Sequence, residues 1–116
     1  MAIGQTAQFV WDYSERSDIF NIHKKGKAIK GSAELGDFTV DFDEEGNIMG
    51  IEIMNVSDFL QEAGISKADL SQLQEAEITV TPGRTNLMYI WIKLQLPQNV
   101  EKVLSIPAPV MMVVYK

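Results

Sequence analysis

Four carboxylates at regular intervals give this chain its clearest chemical spacing: Asp41, Asp43, Glu45 and Glu52, in Asp41-Phe42-Asp43-Glu44-Glu45-Gly46-Asn47-Ile48-Met49-Gly50-Ile51-Glu52. Counted as a twelve-residue calcium loop, they occupy positions 1, 3, 5 and 12, with Gly46 at the sixth and Ile48 at the eighth. Such a loop converges carboxylate oxygens on a hard cation, bends at a glycine and closes with a bidentate carboxylate. Three features oppose that reading. Glu45 is longer than the Asp or Asn usual at its position, and Met49 brings no oxygen to the ninth. The flanks also lack helical character: Phe38, Val40 and Phe42 alternate with Thr39, Asp41 and Asp43, and Gly31 and Gly36 would spoil an entering helix. Read with a period of two, the same residues form a β-hairpin turning at Glu45-Gly46-Asn47, with Ile51 and Ile53 on either side of Glu52 in the return strand. The hairpin is the preferred reading, and Asp41, Asp43, Glu45 and Glu52 stand beside it as the metal-binding candidate.

Other chemistry is sparse. His23 is the single histidine, so one chain holds no two-histidine metal site, and a Ser-His-Asp triad would have to use a residue beside a lysine-rich turn with no nucleophile motif near it. Without cysteine there is no disulfide, thiolate zinc site or cysteine nucleophile. Carboxylate-only catalysis needs two acids facing across a cleft, for which a chain this small has little room. Lys24, Lys25, Lys27 and Lys30 read as a solvated hairpin tip, and Gly31 and Gly36 fit neither nucleotide-binding glycine pattern. Trp11 and Trp91 lie inside apolar strands and read as core or interface. The reading leans away from an enzyme and expects no cofactor.

At 116 residues the chain fits one domain, residues 1–116, and 46% apolar content is that of a globular protein. The net charge of −6 is segregated: residues 31–66 contain nine carboxylates and no Lys or Arg. An acidic average argues against nucleic-acid binding and suits a basic protein partner. The N-terminus has neither the basic region nor the apolar core of a signal peptide, and the longest apolar runs, Leu87–Ile92 and Val110–Tyr115, are far short of a membrane span. A cytoplasmic protein without membrane contact is expected.

The elements that would hold these residues are mostly strands. Gln8–Tyr13 and Asp18–His23 read as a hairpin, a weakly patterned strand follows around Ala28–Leu35, and the Phe38–Ile53 hairpin comes next. Ser57 is placed to cap a short helical turn that Gly64 ends, and Ser66-Lys67-Ala68-Asp69 resembles a capping box opening a helix to about Glu75, with Leu70 and Leu73 buried. Strands resume at Glu77–Thr81. Leu87–Leu94 is apolar on both faces, as expected in a sheet covered on both sides or at a subunit contact. The end is apolar but interrupted by Pro107 and Pro109, which cannot sit mid-sheet. The predicted fold is α+β: an antiparallel β-meander with one or two short helices over about 57–75 and additional C-terminal strands over 76–116.

Tyr13 followed by Asp18-Ile19-Phe20-Asn21-Ile22, and then Val40–Ile53 with Val56-Ser57, resembles the small prokaryotic family called domain of unknown function 2283, over about residues 9–60. That family typically shows D-x-L-Y-I and D-x-D-x-x-G-x-I-x-G-I-E-I. Phe20 and Asn21 depart from it, and residues 76–116 lie beyond its usual core. The resemblance implies a compact β-rich fold with a helix and no assigned activity, with no functional residues to carry over. It also makes a toxin-neutralising role toward a small basic protein conceivable, since some members are paired with small ribonuclease-like proteins.

Two function classes follow. The first is a non-catalytic interaction module that self-associates, most simply as a two-fold dimer, with Tyr89, Trp91, Met111, Met112 and Tyr115 at the interface. Within this class, Asp41–Glu52 could instead dock a basic protein. The second is a divalent-ion or small-ligand binder through the acidic turn.

Overall fold

The computed structural model describes residues 2–26 and 28–109. Alternation of apolar and polar residues dictates most of it. In β2 (Phe9–Ser14), Phe9, Trp11 and Tyr13 are buried while Val10, Asp12 and Ser14 face outward, and β3 (Ile19–Lys24) buries Phe20 and Ile22 in register with them. With β1 (Ala2–Gln5), β4 (Gly31–Leu35), β5 (Phe38–Phe42) and β6 (Ile48–Met54), these strands form a six-stranded sheet in the order β1-β2-β3-β6-β5-β4. All its pairings are antiparallel, yet the sheet is not the simple meander expected. The chain leaves β3 for the far edge and returns through two hairpins, so that β6 pairs with β3: Phe20 with Ile53, Ile22 with Ile51. Two rows of large apolar side chains are thereby brought together across the sheet's middle.

The helical segment is shorter than expected, and the molecule is largely β. Helix α1 spans Val56–Leu60, a 3₁₀ turn spans Gln61–Ala63, and α2 covers only Lys67–Leu70. The capping box at the start of α2 forms as read: Ser66 Oγ accepts from the Asp69 backbone N–H, and the Asp69 side chain accepts from Ser66 N–H. The helix does not continue to Glu75. Gln72 and Leu73 donate back to Asp69 and Leu70, tightening the chain into a turn, and Gln74 N–H then joins Gln95 O to start a ladder. Leu70 and Leu73 are buried as expected.

Strands β7 (Glu75–Pro82), β8 (Leu87–Leu96) and β9 (Val100–Pro109) form a second antiparallel sheet in that order. Pro107 and Pro109 lie within β9 and, as expected of prolines, not in the middle of the sheet. The strand is at an edge, and two prolines two residues apart both turn their donor-less nitrogens to the unpaired side, so the ladder to β8 loses nothing. Alternate residues Met88, Ile90, Ile92, Leu94 and Leu96 enter one continuous core with Trp11, Tyr13, Phe20, Ile51, Ile53 and Leu60. The core is therefore closed between the inner faces of two sheets and capped by α1. Among the described residues no helix is long and apolar enough to cross a membrane.

Candidate functional site

Three places bear on function: the acidic hairpin, a polar clasp behind α1, and the outer face of the second sheet.

The hairpin reading holds at residues 38–54. Asp43 organises its turn: Oδ1 accepts from the backbone N–H groups of Glu45 and Asn47, both at 2.9 Å, and Oδ2 accepts from Asn47 Nδ2 at 3.1 Å. Gly46 takes φ 82°, a left-handed conformation that suits glycine. Register slips between Asp41 and Phe42, which pair with Gly50 and Ile48, leaving Met49 as the extra residue of a bulge. Gly50 is required there, because a Cβ would lie 2.8 Å from His23 Cβ and 2.9 Å from the Ile22 carbonyl oxygen. The four candidate ligands are divided. Asp41, bonded to Ser32 Oγ, and Glu52, opposite Asn21 and Thr39, sit on the outer face of the first sheet, whereas Asp43 and Glu45 lie in the turn. Among the described residues, no group of three or more His, Cys, Asp or Glu side chains is placed to hold a metal ion.

The clasp joins residues that no local pattern in the sequence connects. Asp18 sits in the β2–β3 turn with φ 57°, a conformation Asp tolerates better than most residues, and its N–H donates to Ser14 O. Its carboxylate accepts from Tyr13 Oη at 2.9 Å, from Ser57 Oγ at 2.6 Å and from Ser57 N–H at 3.2 Å, while its carbonyl accepts from Val56 N–H. Ser57 is thus not the N-cap of α1. Asn55, at φ 54°, holds that place, and Ser57 inside the first turn joins residues 39 positions apart in sequence. Burial, followed by the hydrogen bond to Asp18 and the charges of Asp18 and Glu15, raises the Tyr13 phenol well above its ordinary pKa. His23, exposed on the outer face at the far end of β3, takes no part. The Tyr13 hydroxyl donates to the carboxylate, and the group ties the β2–β3 turn to the first turn of α1. Asp18 and Ser57 both belong to the segments that carried the family resemblance, which was the only sequence signal connecting them.

The second sheet supplies a surface. Residues of β8 that point away from the core are Leu87, Tyr89, Trp91, Lys93 and Gln95, flanked by Thr79, Thr81, Glu75 and Glu77 from β7 and by Glu101, Val103, Ser105, Pro107 and Pro109 from β9. The sequence leaves two expectations for this strand, and the described residues leave its outer face open. Tyr89 and Trp91 are each 36% exposed, Leu87 41% and Val103 52%. The two rings lie 6.3 Å apart at 44°, and Trp91 Nε1 donates to Thr81 Oγ1 at 2.8 Å, which fixes the indole against the sheet. At the other end of the face Lys93 bridges Glu101 at 3.3 Å and Glu77 at 3.7 Å. The hydrogen bond to Glu101 and the charges of Glu101 and Glu77 raise its pKa. Of the interface residues expected from sequence, Tyr89 and Trp91 come together here; Met111, Met112 and Tyr115 lie outside the described residues.

Comparison with known proteins bears out the resemblance over the first sheet. Residues 11–57 match a family described as protein of unknown function (DUF2283). The chain is also similar to the uncharacterized protein MJ0789 of Methanocaldococcus jannaschii, 41% identical over 46 residues that make up 40% of this chain and 40% of that protein. No solved structure matches. The matched segment begins at Trp11 and ends at Ser57, so it contains the clasp and the acidic hairpin and excludes all of β7, β8 and β9.

Proposed function

We propose that this chain is a non-catalytic interaction module that self-associates through the outer face of its second sheet. One observation carries the reading: a strand at the centre of that sheet presents Leu87, Tyr89 and Trp91 to water beside Val103, although its opposite side already fills the core. Clustered exposed aromatic and aliphatic residues on a fixed backbone are the composition of an interface centre, with Trp and Tyr giving large contact area at little entropic cost. The indole is already oriented by Thr81, which lowers that cost further. Molar mass from light scattering across a range of micromolar concentrations tests the proposal. A defined oligomer supports it, and a monomer at every concentration removes it.

A second reading has an observation of its own. The strand residues on the outer face of the first sheet include Asp12, Glu34, Asp41 and Glu52 and no Lys or Arg. Such a face suits a basic protein partner, and that binding would weaken steeply with salt. Association that is indifferent to salt would count against it.

A further inference from the structure

We infer that a second copy of this chain packs face to face on the outer surface of the β7–β8–β9 sheet, about a two-fold axis that crosses the strands at Trp91. The inference rests on the self-association proposed above and specifies its geometry.

Size determines how much of the face must be covered. The sheet is three strands wide and β8 is ten residues long, so at ordinary strand spacings the face measures about 33 Å by about 14 Å. Its projection is about 450 Å², and side-chain relief brings the accessible area toward the roughly 800 Å² per partner of a standard interface. The apolar end alone, from Leu87 to Trp91, is half of that and falls short. A partner must therefore lie along the whole face, and the same twisted three-stranded sheet on a second copy matches it in length, width and twist. Edge-to-edge pairing is the other way for sheets to join, but Pro107 and Pro109 interrupt the donors along the free edge of β9.

Full coverage fixes the centre. The outward residues of β8 run Leu87, Tyr89, Trp91, Lys93, Gln95, with Thr79 and Ser105 opposite Trp91 on the neighbouring strands. An in-plane two-fold axis through that row can run along the strands or across them. Along the strands, the charged ends would stack, with Glu75 of one copy facing Glu101 of the other and Lys93 facing Lys93. Across the strands, the charged ends lie at opposite extremes, β7 covers β7, and Lys93 of each copy meets Tyr89 of the other. Like-charge repulsion disfavours the first arrangement, while an ammonium over an aromatic ring is favourable in the second. Trp91 then faces Trp91 across the axis.

The absence of cysteine makes the test clean. Thr79→Cys and Ser105→Cys are introduced singly on the outer face, with Thr39→Cys on the first sheet as a control, and each is treated with a short bismaleimide. The expected result is that Thr79→Cys and Ser105→Cys each cross-link to themselves in high yield and Thr39→Cys does not. If mixtures instead cross-link Thr79→Cys to Ser105→Cys in preference to either alone, the axis runs along the strands and the inference is overturned. If light scattering gives a dimer but neither position cross-links, the face is wrong, and the inference falls while self-association stands. A monomer in light scattering defeats both.

Discussion

Trp11 and Trp91 sit mid-strand in the first and second sheets, and only Trp11 is covered, at 2% exposure against 36%. Trp11 lies in the core row of a strand whose other face carries Asp12 and Val10, next to the Asn21 and Glu52 of its neighbours. Trp91 lies in a strand that buries Ile90 and Ile92 and still has an aromatic row left over. The first sheet buries its aromatic residues on one face and mixes Ile3, Val10, Ile19 and Met54 with Asp12, Asn21, Asp41 and Glu52 on the other. The second has apolar residues for two faces and a layer on only one. The difference divides the molecule: the first sheet and its clasp make the fold, and the second sheet makes the fold and, on the proposal above, a contact. The segment matched by known proteins lies within the first part alone.

This division can be broken or sharpened by substitution. The largest effect on stability is expected at Asp18→Ala, which strands the Tyr13 hydroxyl and both donors of Ser57 and places alanine at a positive φ. A loss of about 2–4 kcal/mol is expected, read from urea unfolding. On the second sheet, Trp91→Glu should weaken association by about 2–3 kcal/mol, measured by sedimentation, and leave unfolding nearly unchanged when both chains are compared at concentrations where they are monomeric. Equal loss of stability in both variants would erase the division. Gly50→Ala forces a methyl group against the Ile22 carbonyl oxygen and the His23 side chain, and about 1–3 kcal/mol of destabilisation is expected in a thermal melt.

The smallest effect is a pH dependence. The Tyr13 phenol has its pKa raised on folding, so the folded state favours the protonated form. The stability this gives is full below the unfolded value of about 10 and is lost as pH rises above it. Tyr13→Phe should therefore cost about 1 kcal/mol at pH 8 and proportionally less at pH 11, when each is compared with the parent chain under the same conditions. A gap that does not narrow at high pH would mean that the hydroxyl does not titrate against Asp18.

Where structure follows from neighbours in sequence, it was legible. The alternation of Phe38–Phe42, the turn at Gly46-Asn47 and the Ser66–Asp69 capping box all depend on residues a few positions apart, and all formed as read. What depends on distant partners was not. The pairing of β3 with β6 undoes the expected meander, and Ser57 reads as a helix cap because its true partner, Asp18, lies 39 residues away. The prolines exclude a central position for β9, but which strand it would pair with became visible only with the sheet order. For β8, the composition showed apolar residues on both faces, and only the second layer's position decided which face stays open.

Sedimentation velocity on three proteins side by side tests the central claim most directly: the parent chain, Trp91→Glu on the outer face of the second sheet, and Glu52→Lys on the outer face of the first. The parent and Glu52→Lys are expected to sediment as the same dimer, with Trp91→Glu as a folded monomer. A parent chain that is monomeric, or a Trp91→Glu variant that remains dimeric, would contradict the assignment of association to the second sheet.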